Sequence, residues 1–279
     1  MMHKYSLNCN GRLLNIEQPI VMGILNATPD SFFNNGTNSS LDEIVTQAAK
    51  MLECGATILD IGGMSTRPGH TPLSEQEEMD RVVPVIETLK GQFPEVYLSV
   101  DTFRANVALS AAEVGVDIIN DISAGTIDAL MIPTVASLGL PYIAMHMKGD
   151  LARMQDRPLY ENAVKEVLEF GASIIATCRN AGIKDVIFDP GFGFGKTVAH
   201  NFQILKHLHV FEMLQVPILA GLSRKSMLYK LLDITSQEAL NATTVANTIA
   251  LQQGAHILRV HDVKEAMECM QLLEYLKTV

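Results

Sequence analysis

The segment VYLSVDTFRANVALSAAEVGVDIINDIS, residues 96–123, decides the fold. Val96–Asp101 is a short apolar run that ends in a carboxylate, and Val116–Asn120 repeats it, ending in an amide beside Asp121. Between them Thr102–Glu113 has helical periodicity, and Gly115 follows it where a left-handed residue commonly closes a helix. Strand, helix and strand in this order form the repeating unit of an α/β fold.

Working outward, the unit recurs until eight strands are counted: Pro19–Asn26, Ala56–Ile61, Val96–Asp101, Val116–Asn120, Pro141–His146, Asp185–Asp189, Pro217–Gly221 and Ala255–Val260. They are nearly continuous in Val, Ile and Leu, as strands covered on both faces must be. The helical stretches are Ser40–Glu53, Ser74–Lys90, Thr102–Glu113, Asp128–Ser137, Glu161–Ala181, His200–Leu208, Ser223–Leu232 with Ala239–Gln253, and Val263–Leu276. Ser40 with Glu43 and Ser74 with Glu77 have capping-box spacing. Gly55, Gly139, Gly182 and Gly254 stand after helices as Gly115 does. Eight such units predict an α/β fold, a closed (β/α)8 TIM barrel. A doubly wound open sheet would normally carry a glycine-rich dinucleotide fingerprint after its first strand, and none is present. Asn10-Gly11 between two short β-like runs predicts a hairpin closing one barrel end. The chain reads as one domain, residues 1–18 forming the hairpin and 19–279 the barrel.

Composition bounds the function. With 279 residues, 48% of them hydrophobic and 19% charged, the chain can bury a large core and is not disordered. A formal net charge of −10, without a Lys/Arg cluster, argues against a nucleic-acid groove. No apolar stretch is long enough for a membrane span, and MMHKYSLNCN lacks the apolar core of a signal peptide. Cys9, Cys54, Cys178 and Cys269 lie far apart, as in a reduced, cytoplasmic protein, and are expected to be small buried hydrophobes.

The strand ends carry the chemistry. In order they present Asn26, Asp60 with Gly62-Gly63, Asp101, Asn120-Asp121, His146, Asp189, Gly221 leading to Ser223-Arg224-Lys225-Ser226, and Arg259 with His261. Asn and Asp also serve as loop caps, so any single case has a structural explanation. Eight together point to one rim, since all strand C-termini of a barrel face the same side. Carboxylates suit the donor edge of a heterocycle, while Lys, Arg and His on the late strands attract an anionic tail. Two loops, 27–39 and 62–73, have the Gly, Ser, Thr and Asn content of mobile lids. His146 reads as structural, Lys196 as a solvated loop lysine, and Gly191–Gly195 as the shape of the sixth rim loop.

GILNATPDSF (23–32), DIGGMSTRPG (60–69), SVDTF (99–103), IINDIS (118–123), DPGFGFGK (189–196), GLSRKSM (221–227) and ILRVHDV (257–263) resemble the dihydropteroate synthases, a family of pterin-binding barrels. The resemblance runs in order along almost the whole chain. It implies a transferase of folate biosynthesis that condenses 6-hydroxymethyl-7,8-dihydropterin diphosphate with 4-aminobenzoate. It also implies Mg²⁺ as cofactor, sulfonamides as inhibitors and a homodimer formed through outer helices of the later half. By match to the family motifs, Asp101, Asn120, Asp189, Lys225 and Arg259 bind the pterin, and Lys225, Asp101 and Arg259 carry catalysis. Asn26, Arg259 and His261 take the diphosphate, Asn26 also being the metal ligand. Thr66, Arg67, Pro68 and Ser226 border 4-aminobenzoate. Departures from the family pattern, at Phe33–Gly36, Met64 and near Leu151, fall on the rim loops and outside the pterin pocket. A related methyltetrahydrofolate:corrinoid methyltransferase domain has no diphosphate to bind, which Lys225 and Arg259-x-His261 argue against. A silent pterin-binding protein should have lost diphosphate or lid residues, and this chain keeps them.

Overall fold

A computed structural model describes residues 3–27, 39–64, 73–149 and 158–279. The chain opens with a hairpin, β1 (Tyr5–Cys9) and β2 (Arg12–Ile16), paired antiparallel. Its turn places Asn10 at φ 52° and Gly11 at φ 84°, the left-handed pair that a two-residue hairpin needs. Eight parallel strands follow: β3 (Ile20–Asn26), β4 (Ile58–Gly62), β5 (Tyr97–Asp101), β6 (Ile118–Asp121), β7 (Tyr142–Met145), β8 (Val186–Asp189), β9 (Leu219–Ala220) and β10 (Ile257–Val260). The sheet runs β8-β7-β6-β5-β4-β3-β10-β9, and a parallel bridge between Phe188 and Ile218 closes it into a barrel. All eight strands fall where the apolar runs predict them.

The helices are α1 (Ser39–Glu53), α2 (Glu75–Gln92), α3 (Ala105–Glu113), α4 (Met131–Leu138), α5 (Ala163–Ala181), α6 (Val198–Lys206), α7 (Ser226–Leu232), α8 (Leu240–Gln252) and α9 (Val263–Leu276). Ser74 and Glu77 form the expected capping box on α2. Ser40, expected as a cap, lies inside α1 instead, because that helix already begins at Ser39. The predicted helix from Thr102 starts later, at Ala105, since its first free N–H is received by Asp128 from the next connection, at 2.8 Å. The predicted His200–Leu208 helix begins at Val198, capped by Thr197 and His200, and hands over to a 3-10 turn at Leu208–Leu214.

Strand residues alternate between two clusters. Val21, Leu59, Leu98, Ile119, Tyr142, Val186, Ile218 and Leu258 pack outward, against the helices. Met22, Ile58, Ile118, Ile143, Ile187, Leu219 and Ile257 point inward and form the barrel floor with Leu7, Cys9, Leu14 and Ile16 of the hairpin. The hairpin thus closes that end, as predicted. Asp117, 1% exposed, ties it down by accepting from Arg12 Nη2 at 3.1 Å, Lys90 Nζ at 2.5 Å and Leu98 N at 2.8 Å.

Candidate active site

Two residues beyond the floor, the inward positions change character. Asp60 follows Ile58, Asn120 follows Ile118, Asp189 follows Ile187, Gly221 follows Leu219 and Arg259 follows Ile257. One pleat period along a strand is ~6.6 Å, so these groups form the next layer toward the C-terminal rim. Alternation therefore converts a greasy floor into a polar pocket using the same strands.

Arg259 organises one side. Its Nε donates to Asp60 Oδ2 at 2.6 Å and its Nη2 donates to Asp101 Oδ2 at 2.6 Å. Asn120 Nδ2 donates to the same Asp60 oxygen at 3.0 Å. Burial opposes the charge on Arg259, but the carboxylates of Asp60 and Asp101 outweigh it and hold its pKa above the usual value. One guanidinium serves two carboxylates, so charge stays short on one of them. Burial, with Asp60 nearby, pushes Asp101 up to about 7 although Arg259 pulls the other way. Asp60 is fully buried and fixes both Arg259 and Asn120. The motif reading gave it no role. Its signal was the register, two residues past an inward isoleucine as in Asn120 and Asp189.

Lys225 and Asp189 form the opposite side. Asp189 Oδ1 accepts from Gly191 N at 2.7 Å. Lys225 Nζ donates to Phe192 O at 2.6 Å and lies 4.3 Å over the ring of Phe194. Burial lowers Lys225 to about 8, against the attraction of Asp189, and burial likewise raises Asp189, against Lys225. His261 Nδ1 and Ser223 Oγ are 2.9 Å apart. Arg224, strained at φ 52°, turns away to pair with both oxygens of Asp262 at 2.9 Å. Met145, level with Asp189 in the sheet register, and Phe103 and Ile122 beyond it pack with Met64, Met147 and Phe194. This apolar rim suits the face of a flat ring, and it brings Met64, expected outside the pterin pocket, to the pocket's edge.

Asn26 ends β3 at the rim, its side of the strand facing solvent. Ser226 opens α7 beside a hollow of about 160 Å³ that Thr197, Asn201, Met227 and Lys230 also line. Thr66, Arg67 and Pro68 lie outside the described residues, as does most of the 27–39 loop. His146 is buried, in line with a structural role. Lys196 corrects its expectation: it is not solvated but 3% exposed, because backbone carbonyls replace water around its amine. Of the cysteines, Cys9, Cys178 and Cys269 are buried and Cys54 is half-buried, all unpaired.

A closed barrel whose rim gathers paired carboxylates and cations with an amide in one buried pocket has the build of an enzyme for a small heterocycle bearing an anionic group. Comparison with known proteins narrows the class. A family described as pterin binding enzyme matches residues 22–261. The dihydropteroate synthase of Escherichia coli is 44% identical over 274 residues, 96% of this chain and 95% of the relative. The Yersinia pestis dihydropteroate synthase, solved as a sulfonamide drug complex, superposes with a TM-score of 0.92 at 44% identity, covering 99% of this chain and 100% of the other. The Xanthomonas albilineans enzyme in complex with 7,8-dihydropteroate gives 0.88 at 38% identity, with the same coverage. This chain belongs to the dihydropteroate synthase family of pterin-binding enzymes, transferases that join 6-hydroxymethyl-7,8-dihydropterin diphosphate to 4-aminobenzoate, giving 7,8-dihydropteroate and pyrophosphate.

Proposed function

We propose that the pocket of Asp60, Asp101, Asn120, Asp189, Lys225 and Arg259 performs this condensation by a dissociative substitution at the pterin methylene. The observation that carries the reading is one buried rim pocket in which Arg259 is paired with Asp60 and Asp101 and Lys225 is placed beside Asp189. Carboxylates on β4, β5 and β8 face a donor-rich ring, and Lys225 and Arg259 lie toward the late strands. Asp189, with one oxygen held by Gly191, keeps the other for the ring's 2-amino and N3–H edge. Asn120, its amide N–H committed to Asp60, turns its oxygen to the ring, and Asp101 takes a further ring N–H. Lys225 donates to the O4/N5 side. Arg259 and His261 meet the diphosphate.

The methylene C–O bond breaks, its electron pair leaves with pyrophosphate, and the electron-rich ring stabilises the cation. The aniline nitrogen of 4-aminobenzoate then forms the new C–N bond and loses its proton to solvent. No protein nucleophile is required, so catalysis is positioning plus stabilisation of the departing anion. Mg²⁺ fits Asn26, whose amide offers one hard neutral oxygen at the rim, the ligand type this ion accepts beside substrate oxygens and water. Bound there, the ion supplies charge neutralisation to the leaving pyrophosphate.

Thr66, Arg67 and Pro68 border 4-aminobenzoate in this reading, and Ser226 receives its carboxylate. Sulfonamides, one of which is bound in the Yersinia pestis relative, compete for that place. The chain acts as a cytoplasmic homodimer. Support comes from unpaired cysteines and from the outer face of α8 and α9, where Leu272 and Leu276, both more than half exposed, line a groove of about 540 Å³. Among the described residues no helix is long and apolar enough to cross a membrane.

The test is incubation with dihydropterin diphosphate, 4-aminobenzoate and Mg²⁺, with dihydropteroate read by mass spectrometry. Product that depends on all three supports the reading; turnover undiminished by chelator removes the metal from it. Sedimentation of Leu272→Glu, expected as a monomer beside a dimeric parent, tests the assembly.

A further inference from the structure

Lys196 and His146 are two buried titratable groups that the condensation does not use. Lys196 Nζ meets four neutral acceptors: His146 Nδ1 at 2.8 Å, Gly191 O at 2.8 Å, Phe194 O at 3.0 Å and His146 O at 3.2 Å. Two of them belong to the end of β7 and two to the loop after β8. Burial lowers the pKa of Lys196 well below the usual lysine value, against the attraction of Asp189, and its amine staples one strand end to the neighbouring loop. The pKa of His146 is pushed down to about 2 by burial and by the charge of Lys196, and in the Nε2–H tautomer its Nδ1 lone pair accepts from Lys196. Its ring is fixed edge-on against Phe170, with centroids 4.9 Å apart.

What the staple holds is the backbone that grips the site. Gly191 N anchors Asp189, and Phe192 O, between the two stapled carbonyls, anchors Lys225. The loop also lies directly on its support. A Cβ on Gly191, at φ 69°, would stand 1.9 Å from His146 O, and one on Gly195, at φ 63°, would stand 2.1 Å from Lys148 O. A displacement of this loop moves an Asp189 anchor and a Lys225 anchor together.

We propose that Lys196, clamped on His146 and on the carbonyls of Gly191 and Phe194, is the positioning residue for ring recognition by Asp189 and Lys225. The inference rests on the reading that those two side chains bind the pterin. The clamp acts on ring binding, which the ground state and the transition state share, so its loss raises KM for the pterin with little change in kcat.

The experiment compares Lys196→Met, His146→Leu and His146→Gln with the parent, using dihydropterin diphosphate and 4-aminobenzoate in steady state and dihydropterin diphosphate in calorimetry. Lys196→Met, close in length but without donors, should raise the pterin KM by about tenfold or more, while kcat and the aminobenzoate KM change less than about threefold. His146→Leu should behave like Lys196→Met. His146→Gln, whose Oε1 can accept in place of Nδ1, should recover most of the pterin affinity, which a purely structural loss would not allow. A folded Lys196→Met with parental pterin KM overturns the proposal, and so does equal affinity in the Leu and Gln variants. Should Lys196→Met not fold, the Leu and Gln pair alone decides between the same two outcomes. Asp189→Asn measured alongside separates the two readings. If it is weakened and the clamp variants are not, only the clamp fails; if it binds as the parent does, the ring assignment fails and the clamp falls with it.

Discussion

Replacing Asp189 by Asn changes one atom's chemistry at almost constant shape, and the structure fixes which way the new amide must face. Gly191 N lies 2.7 Å from Asp189 Oδ1 and needs an acceptor in a buried place. The amide oxygen of Asn therefore stays on Gly191, and its NH2 group points into the pocket toward the ring's own donors. A charge-assisted hydrogen bond, worth about 1.5–3 kcal/mol, is lost, and a buried donor is left unpaired at about 1–3 kcal/mol. Their combination, about 3–4 kcal/mol, corresponds to a few-hundred-fold loss of affinity at ~1.4 kcal/mol per decade. Burial raises the pKa of Asp189, so the neutral amide should leave the fold at least as stable as before at pH 8. The assay is calorimetric titration with dihydropterin diphosphate at pH 8, with thermal unfolding recorded on the same samples. Affinity within about threefold of the parent, in a folded variant, refutes the assignment of Asp189 to the ring edge.

Arg259→Ala leaves Asp60 and Asp101 facing each other without their cation, and should lower stability by about 3 kcal/mol in urea unfolding. It should also weaken dihydropterin diphosphate more than the diphosphate-free pterin; equal weakening of the two contradicts the phosphate role. Gly191→Ala collides with His146 O and should unfold the chain or cost more than about 3 kcal/mol, whereas Gly139→Ala, at φ 67° with open space around it, should cost about 1–2 kcal/mol. Comparable melting temperatures for the two would show that the loop does not rest on β7. Asp101, raised to about 7 by burial, binds its proton more tightly folded than unfolded, so its charge destabilises the fold increasingly from about pH 4 to pH 7. Asp101→Asn should accordingly melt higher than the parent at pH 8, lose that advantage near pH 4 and bind pterin more weakly at both; a lower melting temperature at pH 8 counts against it.

The strands were legible because each is buried on both faces, which forces an unbroken apolar run. Their ends were less so: Ala56 and Val116 lie in the predicted runs yet precede the first ladder residues Ile58 and Ile118. β9 is only two residues long, and closure is completed by Ile218 bridging Phe188, a long-range contact that no local pattern encodes. Helix starts slipped where a cap comes from elsewhere, as Asp128 does for Ala105. Asn120, Asp189 and Arg259 were readable from both motif and strand position. Asp60 carried the same positional signal and lacked only a motif-derived role. Lys196 could not be read locally, since a lysine after a glycine loop is ordinarily solvated. Its burial depends on the carbonyl and ring nitrogen of His146, 50 residues away.

The separation of floor and pocket explains how this barrel tolerates so much buried charge. Ile187 and Asp189 are two residues apart on β8, yet one seals against the hairpin and the other faces the rim. Each fully buried isoleucine or leucine of the floor contributes about 1.5–3 kcal/mol of transfer free energy. That layer, closed by Leu7, Leu14 and Ile16, offsets the desolvation of Asp60, Asp101, Asp189, Lys225 and Arg259 just above it. Because the charges are fixed by one another and by loop backbone, they need not reorganise when a charged substrate arrives or when pyrophosphate departs. A pocket of flexible surface charges would lose that advantage to solvent screening. The strands therefore have to be short and their register fixed, since a slip of one residue would put every carboxylate among the helices and every outward isoleucine or leucine into the site.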